Sequence, residues 1–160
     1  MYLENSKTII VKIGSSLIID DKKIIRKKWL LEFAKDIKAL RKKNKNIIIV
    51  SSGAIALGCK KLNIIKKKLK IDQSQAVASV GQIELMNLFK EVFAIQKINI
   101  SQILLTLEDT EIRRRAINAK RTIENLFSLN FIPIVNENDT IATSEIKYGD
   151  NDRLASRVAQ

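Results

Sequence analysis

Apolar residues along this chain follow two rhythms. Short, largely apolar runs, rich in β-branched residues, occupy residues 8–13 (TIIVKI), 47–50 (IIIV), 100–106 and 131–135. Between them apolar positions recur every three or four residues. Leu30, Phe33, Ala34, Ile37 and Leu40 do so within 24–44, and Leu85, Leu88, Phe89 and Val92 within 74–96. Ile112, Ala116, Ala119, Ile123 and Leu126 form a third set. The first rhythm predicts strands buried on both faces; the second predicts helices with one apolar stripe. Alternating in this order, they predict an α/β fold, a mainly parallel sheet with helices on both faces. Sheets of that kind hold ligands beyond the carboxyl ends of their strands. The loops after Ile13, Val50, Thr106 and Val135 are therefore where chemistry is expected.

Composition narrows the class. The chain has 160 residues, 46% of them hydrophobic, enough for one domain with its own core. Its one cysteine, Cys59, has no partner for an internal disulfide and reads as a packing residue. No apolar run approaches the roughly 18 residues that span a bilayer, and the first one ends at a lysine, so a cytoplasmic protein without a membrane segment is expected. The chain has no histidine, which excludes histidine-based triads, acid–base pairs and metal sites. The net charge of +12 raises nucleic acid or anionic substrates as partners. The lysines, however, are dispersed (Lys22, Lys23, Lys27, Lys28, then Lys35, Lys38, Lys42, Lys43), and no aromatic residues interleave with them as stacking platforms. Solvated lysine faces are the preferred reading, and a nucleic-acid partner is not expected.

Three loops carry candidate chemistry. In VKIGSS (residues 11–16), Lys12 puts a cation at a strand end, Gly14 lets backbone approach a ligand, and Ser15 and Ser16 add hydroxyl donors. A snorkelling lysine before an ordinary turn would explain the same residues. In VSSGAIALG (residues 50–58) a second strand runs into Ser51, Ser52 and Gly53 before a helix expected from about Ala54. A lone Ser-Ser-Gly is usually a cap, but two such turns after two strands of one sheet fit a phosphate cradle. The third stretch, residues 135–156, gathers Glu137, Asp139, Glu145, Asp150 and Asp152 among Asn136, Asn138 and Asn151. Residues 140–147 are strand-like and suggest a hairpin, and Asp150 or Asn151 suits the cap of a helix starting near Arg153. Carboxylates beside a phosphate cradle would hold an acceptor's ammonium group, orient Lys12 or help position Mg²⁺. From the residues alone, the chain reads as a phosphotransferase whose acceptor carries an amine.

The same loops carry a family resemblance. VKIGSS, IVSSGAIALG, AVASVGQIELM (residues 76–86), QILLT (102–106), IPIVNENDTIA (132–142) and GDNDRLA (149–155) resemble blocks of the glutamate 5-kinases, members of the amino-acid kinase family, in the same order. Asp109, Arg113, Asn118 and Thr122 continue the likeness, although Arg113–Arg115 is equally a solvated face. The resemblance implies a three-layer αβα sandwich and ATP-dependent phosphorylation of the γ-carboxylate of L-glutamate, the first step of proline biosynthesis. It implies Lys12 as the lysine that stabilises the transferred phosphoryl group and Asp152 as the aspartate that organises catalytic lysines. Gly14, Ser15 and Gly53 would face phosphate, and Ser52, Asp139 and Asn151 would bind glutamate. ATP and Mg²⁺ are the implied cofactors, proline a feedback inhibitor, and a homo-oligomer the expected complete enzyme.

Family members run well past this length, through a nucleotide-binding half and often a PUA domain. Residues 1–160 are accordingly expected to be the N-terminal, acceptor-binding portion of a C-terminally incomplete kinase domain, poorly active or inactive alone. A kinase of another acceptor (acetylglutamate, aspartate, a nucleotide) would keep the Lys12–Gly14 turn without NENDTIA and GDND. A non-catalytic remnant or assembly partner, and a nucleic-acid-binding basic domain, complete the set of rival functions.

Overall fold

In the computed structural model, residues 2–65, 69–142 and 150–160 are described. Four strands, β1 (Thr8–Ile13), β2 (Asn46–Ser51), β3 (Asn99–Leu105) and β4 (Phe131–Glu137), form one sheet in the order β1-β2-β4-β3. Every pairing is parallel, and β1 and β2 are in register from Thr8 opposite Asn46 to Ile13 opposite Ser51. The helices are α1 (Tyr2–Asn5), α2 (Ser15–Ile18), α3 (Lys27–Lys42), α4 (Ala54–Lys61), α5 (Ile71–Ile95), α6 (Leu107–Glu111), α7 (Arg113–Ser128) and α8 (Asp150–Ala159).

Alternation along the strands sorts side chains to the two faces. Ile9, Val11 and Ile13 of β1, Ile47 and Ile49 of β2, and Ile132 and Ile134 of β4 pack with Leu30, Ala34 and Ile37 of α3 and Leu85, Phe89 and Phe93 of α5. Phe33 meets Phe93 edge-on across this layer, with centroids 6.2 Å apart. Ile10, Ile48, Val50, Ile103 and Val135 face the other way, against Ile123 and Phe127 of α7 and Leu154 and Val158 of α8. The result is the three-layer αβα arrangement expected from the sequence. None of the described helices is long and apolar enough to cross a membrane.

The strand boundaries lie within a residue or two of those expected. The helices differ more. The helix expected over 24–44 starts at Lys27, because Ile25 pairs with Ile19 in an antiparallel bridge and Asp20 Oδ1 accepts the Ile24 N–H instead. The helix expected near Arg153 already includes Asp150 and Asn151, so neither residue precedes it as a cap. The expected hairpin over 140–147 falls mostly outside the described residues, as does Glu145.

Candidate functional site

Lys12 shares the parity of Ile10, so its side chain leaves β1 on the face that α8 covers. There, beyond the last apolar contact, it meets the first turn of α8. Lys12 Nζ lies 2.7 Å from Asp152 Oδ1. The side chains are 30% and 60% exposed, so the pair is worth at most about 1 kcal/mol of stability. Its consequence is aim. The ammonium lies over the glycine turn, 3.9 Å from where a Cβ on Gly14 would stand, and Ser16 Oγ is equally near that point.

The two glycine turns are held side by side. Ser51 is the register partner of Ile13, and the Ser52 N–H donates to the Ile13 carbonyl at 3.0 Å. Ser51, fully buried, donates its hydroxyl to the Ser52 carbonyl at 2.9 Å. Gly53 then turns the chain at φ +118°, a conformation that side-chain-bearing residues rarely adopt, and caps α4. A Cβ on Gly53 would also stand 3.3 Å from Ile18 Cδ1. The first N–H groups of α4 thus lack intrahelical partners beside Ser52 and the Lys12 turn.

The third wall comes from the end of β4. Asn136 is 1% exposed and shares the parity of Ile132 and Ile134, which places its amide on the α5 side. Its Nδ2 donates to Gln82 Oε1 at 2.6 Å, and its Oδ1 accepts the Glu137 N–H at 2.9 Å. The following turn is tied at both ends. The Asn138 N–H donates to the Leu105 carbonyl at 3.0 Å, and Gln75 Nε2 donates to the Ala142 carbonyl at 3.0 Å. Asp139 sits half-buried within it. Among the described residues, two buried polar atoms near these strand ends lack hydrogen-bond partners, the donor Gln82 Nε2 and the acceptor Asn151 Oδ1. Leaving such a group unsatisfied costs about 1–3 kcal/mol, which a bound polar molecule would recover.

Lys12 is therefore in contact with Asp152 and lies over Gly14, with Ser15 following Gly14 in α2. Ser52 and Gly53 lie at the neighbouring strand end, Asp139 in the turn after β4, and Asn151 beside Asp152. Asp109 belongs elsewhere. It closes a reciprocal cap with Thr106 at the start of α6 and takes an ion pair from Arg115 at 3.0 Å. Partial burial raises its carboxyl, but the Thr106 backbone and hydroxyl bonds and the Arg115 guanidinium outweigh this and hold it below the ordinary value. Gly58, grouped by sequence with the second loop, lies within α4 and faces α5 instead. Cys59 is buried, as a packing residue should be. A cleft of about 650 Å³ between α7 and α8, lined by Lys7, Ile48, Phe127 and Val158, includes neither glycine turn nor Lys12. Among the described residues no three His, Cys, Asp or Glu side chains converge as a metal set.

Gln82, brought to the end of β4 by its bond to Asn136, is a residue that the sequence reading passed over. Its signal was present: a polar amide inside the apolar helical run AVASVGQIELM, directly after a glycine.

Comparison with known proteins agrees with this architecture. The chain is 79% identical over its whole length to the glutamate 5-kinase of Pelagibacter ubique (strain HTCC1062), and covers 44% of that protein. It is 50% identical over 98% of its length to the glutamate 5-kinase of Ruegeria sp. (strain TM1040), covering 43% of it. The chain thus spans less than half the length of these curated relatives. Among solved structures, Giardia carbamate kinase superposes with a TM-score of 0.62 at 12% identity, over 96% of this chain and 70% of that one. The Giardia lamblia enzyme bound to AMP-PNP gives 0.59 at 12% identity, over 98% and 71%. At that identity the likeness speaks to the fold alone. Residues 7–160 match the profile of the amino acid kinase family, and the chain belongs to that family.

Proposed function

We propose that this chain is the acceptor-binding portion of a glutamate 5-kinase, which transfers the terminal phosphoryl group of ATP to the γ-carboxylate of L-glutamate in proline biosynthesis. The observation that carries the reading is the Lys12–Asp152 pair, 2.7 Å apart, lying over one glycine turn beside a second. A phosphoryl group in transit spreads negative charge over its oxygens, and stabilising it requires placed cations and N–H donors more than proton transfer. A carboxylate acceptor is already ionised at neutral pH. No general base is then needed, which suits a chain without histidine.

In this reading a γ-carboxylate oxygen attacks the terminal phosphorus, the bond to the ADP oxygen breaks, and glutamyl 5-phosphate leaves with ADP. Lys12, aimed by Asp152, holds the transferred group, with Gly14, Ser15 and Gly53 allowing backbone close to it. Asp139 receives the α-ammonium, and Ser52 and Asn151 bind the carboxylates. ATP arrives with Mg²⁺ as substrate, and no step is assigned to the metal. Proline as feedback inhibitor, a homo-oligomeric complete enzyme and a cytoplasmic setting belong to the same proposal. So does weak or absent turnover by the 160 residues alone.

The test joins this chain to the remaining length of a relative and measures glutamyl phosphate formation. Lys12→Ala should lower kcat by roughly a hundredfold or more with a nearly unchanged KM for glutamate. Asp139→Ala should raise that KM by about tenfold or more and leave kcat closer to wild type. Equal effects of both substitutions on both parameters would refute the division of roles.

A further inference from the structure

We infer that Gln82 is a specificity-determining residue of the acceptor site, its side-chain amide donating a hydrogen bond to a carboxylate oxygen of the acceptor. The inference rests on the acceptor-site reading above and adds to it a residue on α5.

The orientation of the amide follows from a chain of forced choices. The Glu137 backbone N–H can only donate, so the atom facing it must be the Asn136 oxygen. The Asn136 nitrogen must then face Gln82, at 2.6 Å, and only an oxygen of Gln82 can accept there. Gln82 Nε2 is left over, buried and without a hydrogen-bond partner among the described residues. A flip of either amide would set two donors or two acceptors against each other. Asn136 thus acts as a positioning residue for the donor.

The helix that carries the donor is equally constrained. At Gly81 a methyl group would run into the Ala54 carbonyl, so α5 lies directly on the start of α4, next to Gly53. At Gln75 the same helix holds the turn that contains Asp139. Gln82 therefore stands on the element that braces both the Ser52–Gly53 turn and the Asp139 turn. A fixed donor with no acceptor among the described residues selects an acceptor atom on the ligand, and a carboxylate supplies the strongest one available. Asp139 suits the ammonium end, so the donor complements the opposite charge of the same zwitterion.

Gln82→Glu is the discriminating variant. It keeps an oxygen facing Asn136 and replaces the spare donor with an anionic oxygen. Gln82→Met removes the amide at similar volume. The 160-residue wild-type chain and both variants are titrated calorimetrically with L-glutamate, and thermal unfolding is followed in parallel. Gln82→Met should weaken binding by about tenfold or more, and Gln82→Glu should weaken it further in a chain that the unfolding curve shows to be folded at the titration temperature. With analogues lacking either the α- or the γ-carboxylate, the Gln82→Met loss should vanish for one and persist for the other. Wild-type affinity in a folded Gln82→Glu chain, or an equal Gln82→Met loss for both analogues, overturns the inference and leaves the acceptor site standing. Absence of glutamate binding by the folded wild-type chain overturns the acceptor reading, and this inference with it.

Discussion

At the scale of single residues, geometry turns ordinary side chains into a directed set. Lys12 is one of many lysines, and what separates it is parity and depth. It is the last outward position on an otherwise apolar strand, and Asp152 receives it at 2.7 Å. The sequence made Lys12, Gly14, Gly53 and Asp152 legible because each interrupts a pattern at a strand end or opens a helix. Gln82 was less legible because its significance depends on Asn136, 54 residues away. Asp109 shows a neighbouring kind of order, structural and set in the cap of α6. Its folded carboxyl sits below the unfolded value, so as pH falls the unfolded chain takes up its proton first. Asp109 stabilisation is therefore complete above the ordinary carboxylate range of about 3.9 and is lost as pH drops through the lower folded value. Asp109→Asn should cost about 1 kcal/mol at neutral pH. In chemical denaturation across pH, the gap to wild type should narrow in acid; a gap independent of pH would contradict the assignment.

At the scale of elements, the parallel strands were the most readable feature, since short β-branched apolar runs have few other uses. The central strands β2 and β4 are buried along nearly their whole length, while β3 at the edge is partly exposed. Helix boundaries were less readable. Ile24 and Ile25 adjoin the helical run in sequence, yet tertiary pairing of Ile25 with Ile19 takes them out of α3. The α4–α5 contact was illegible, because close approach of two helices leaves no apolar period, only glycines. Gly58 and Gly81 mark it: a Cβ on the first would strike the Val77 carbonyl, and on the second the Ala54 carbonyl. Because backbone cannot give way as a side-chain tip can, Gly81→Ala should destabilise by about 1–3 kcal/mol. For a domain of this size that lowers Tm by about 2–12 °C. An unchanged melting temperature would mean that the helices are not packed this closely. The same substitution displaces Gln82, so a loss of glutamate affinity should accompany the loss of stability.

At the scale of the whole molecule, the two halves of the site come from opposite faces of one sheet. Lys12 and Asp152 approach from the α8 side, and Asn136 and Gln82 from the α5 side. The strand ends between them carry Ser52 and Gly53. A parallel sheet makes this possible because all its carboxyl ends open in one direction, which was the expectation drawn from strand–helix alternation alone. Several cations are taken up locally, Lys27 by Glu91, Lys61 by Glu84 and Arg157 by Glu111. The central claim is that these 160 residues hold a formed acceptor site. Calorimetric titration of the folded chain with L-glutamate, beside L-aspartate, N-acetylglutamate and UMP, tests it most directly. The account predicts saturable one-to-one binding of L-glutamate and markedly weaker or no binding of the other three. A folded chain that binds none of them, or binds all four alike, would contradict it.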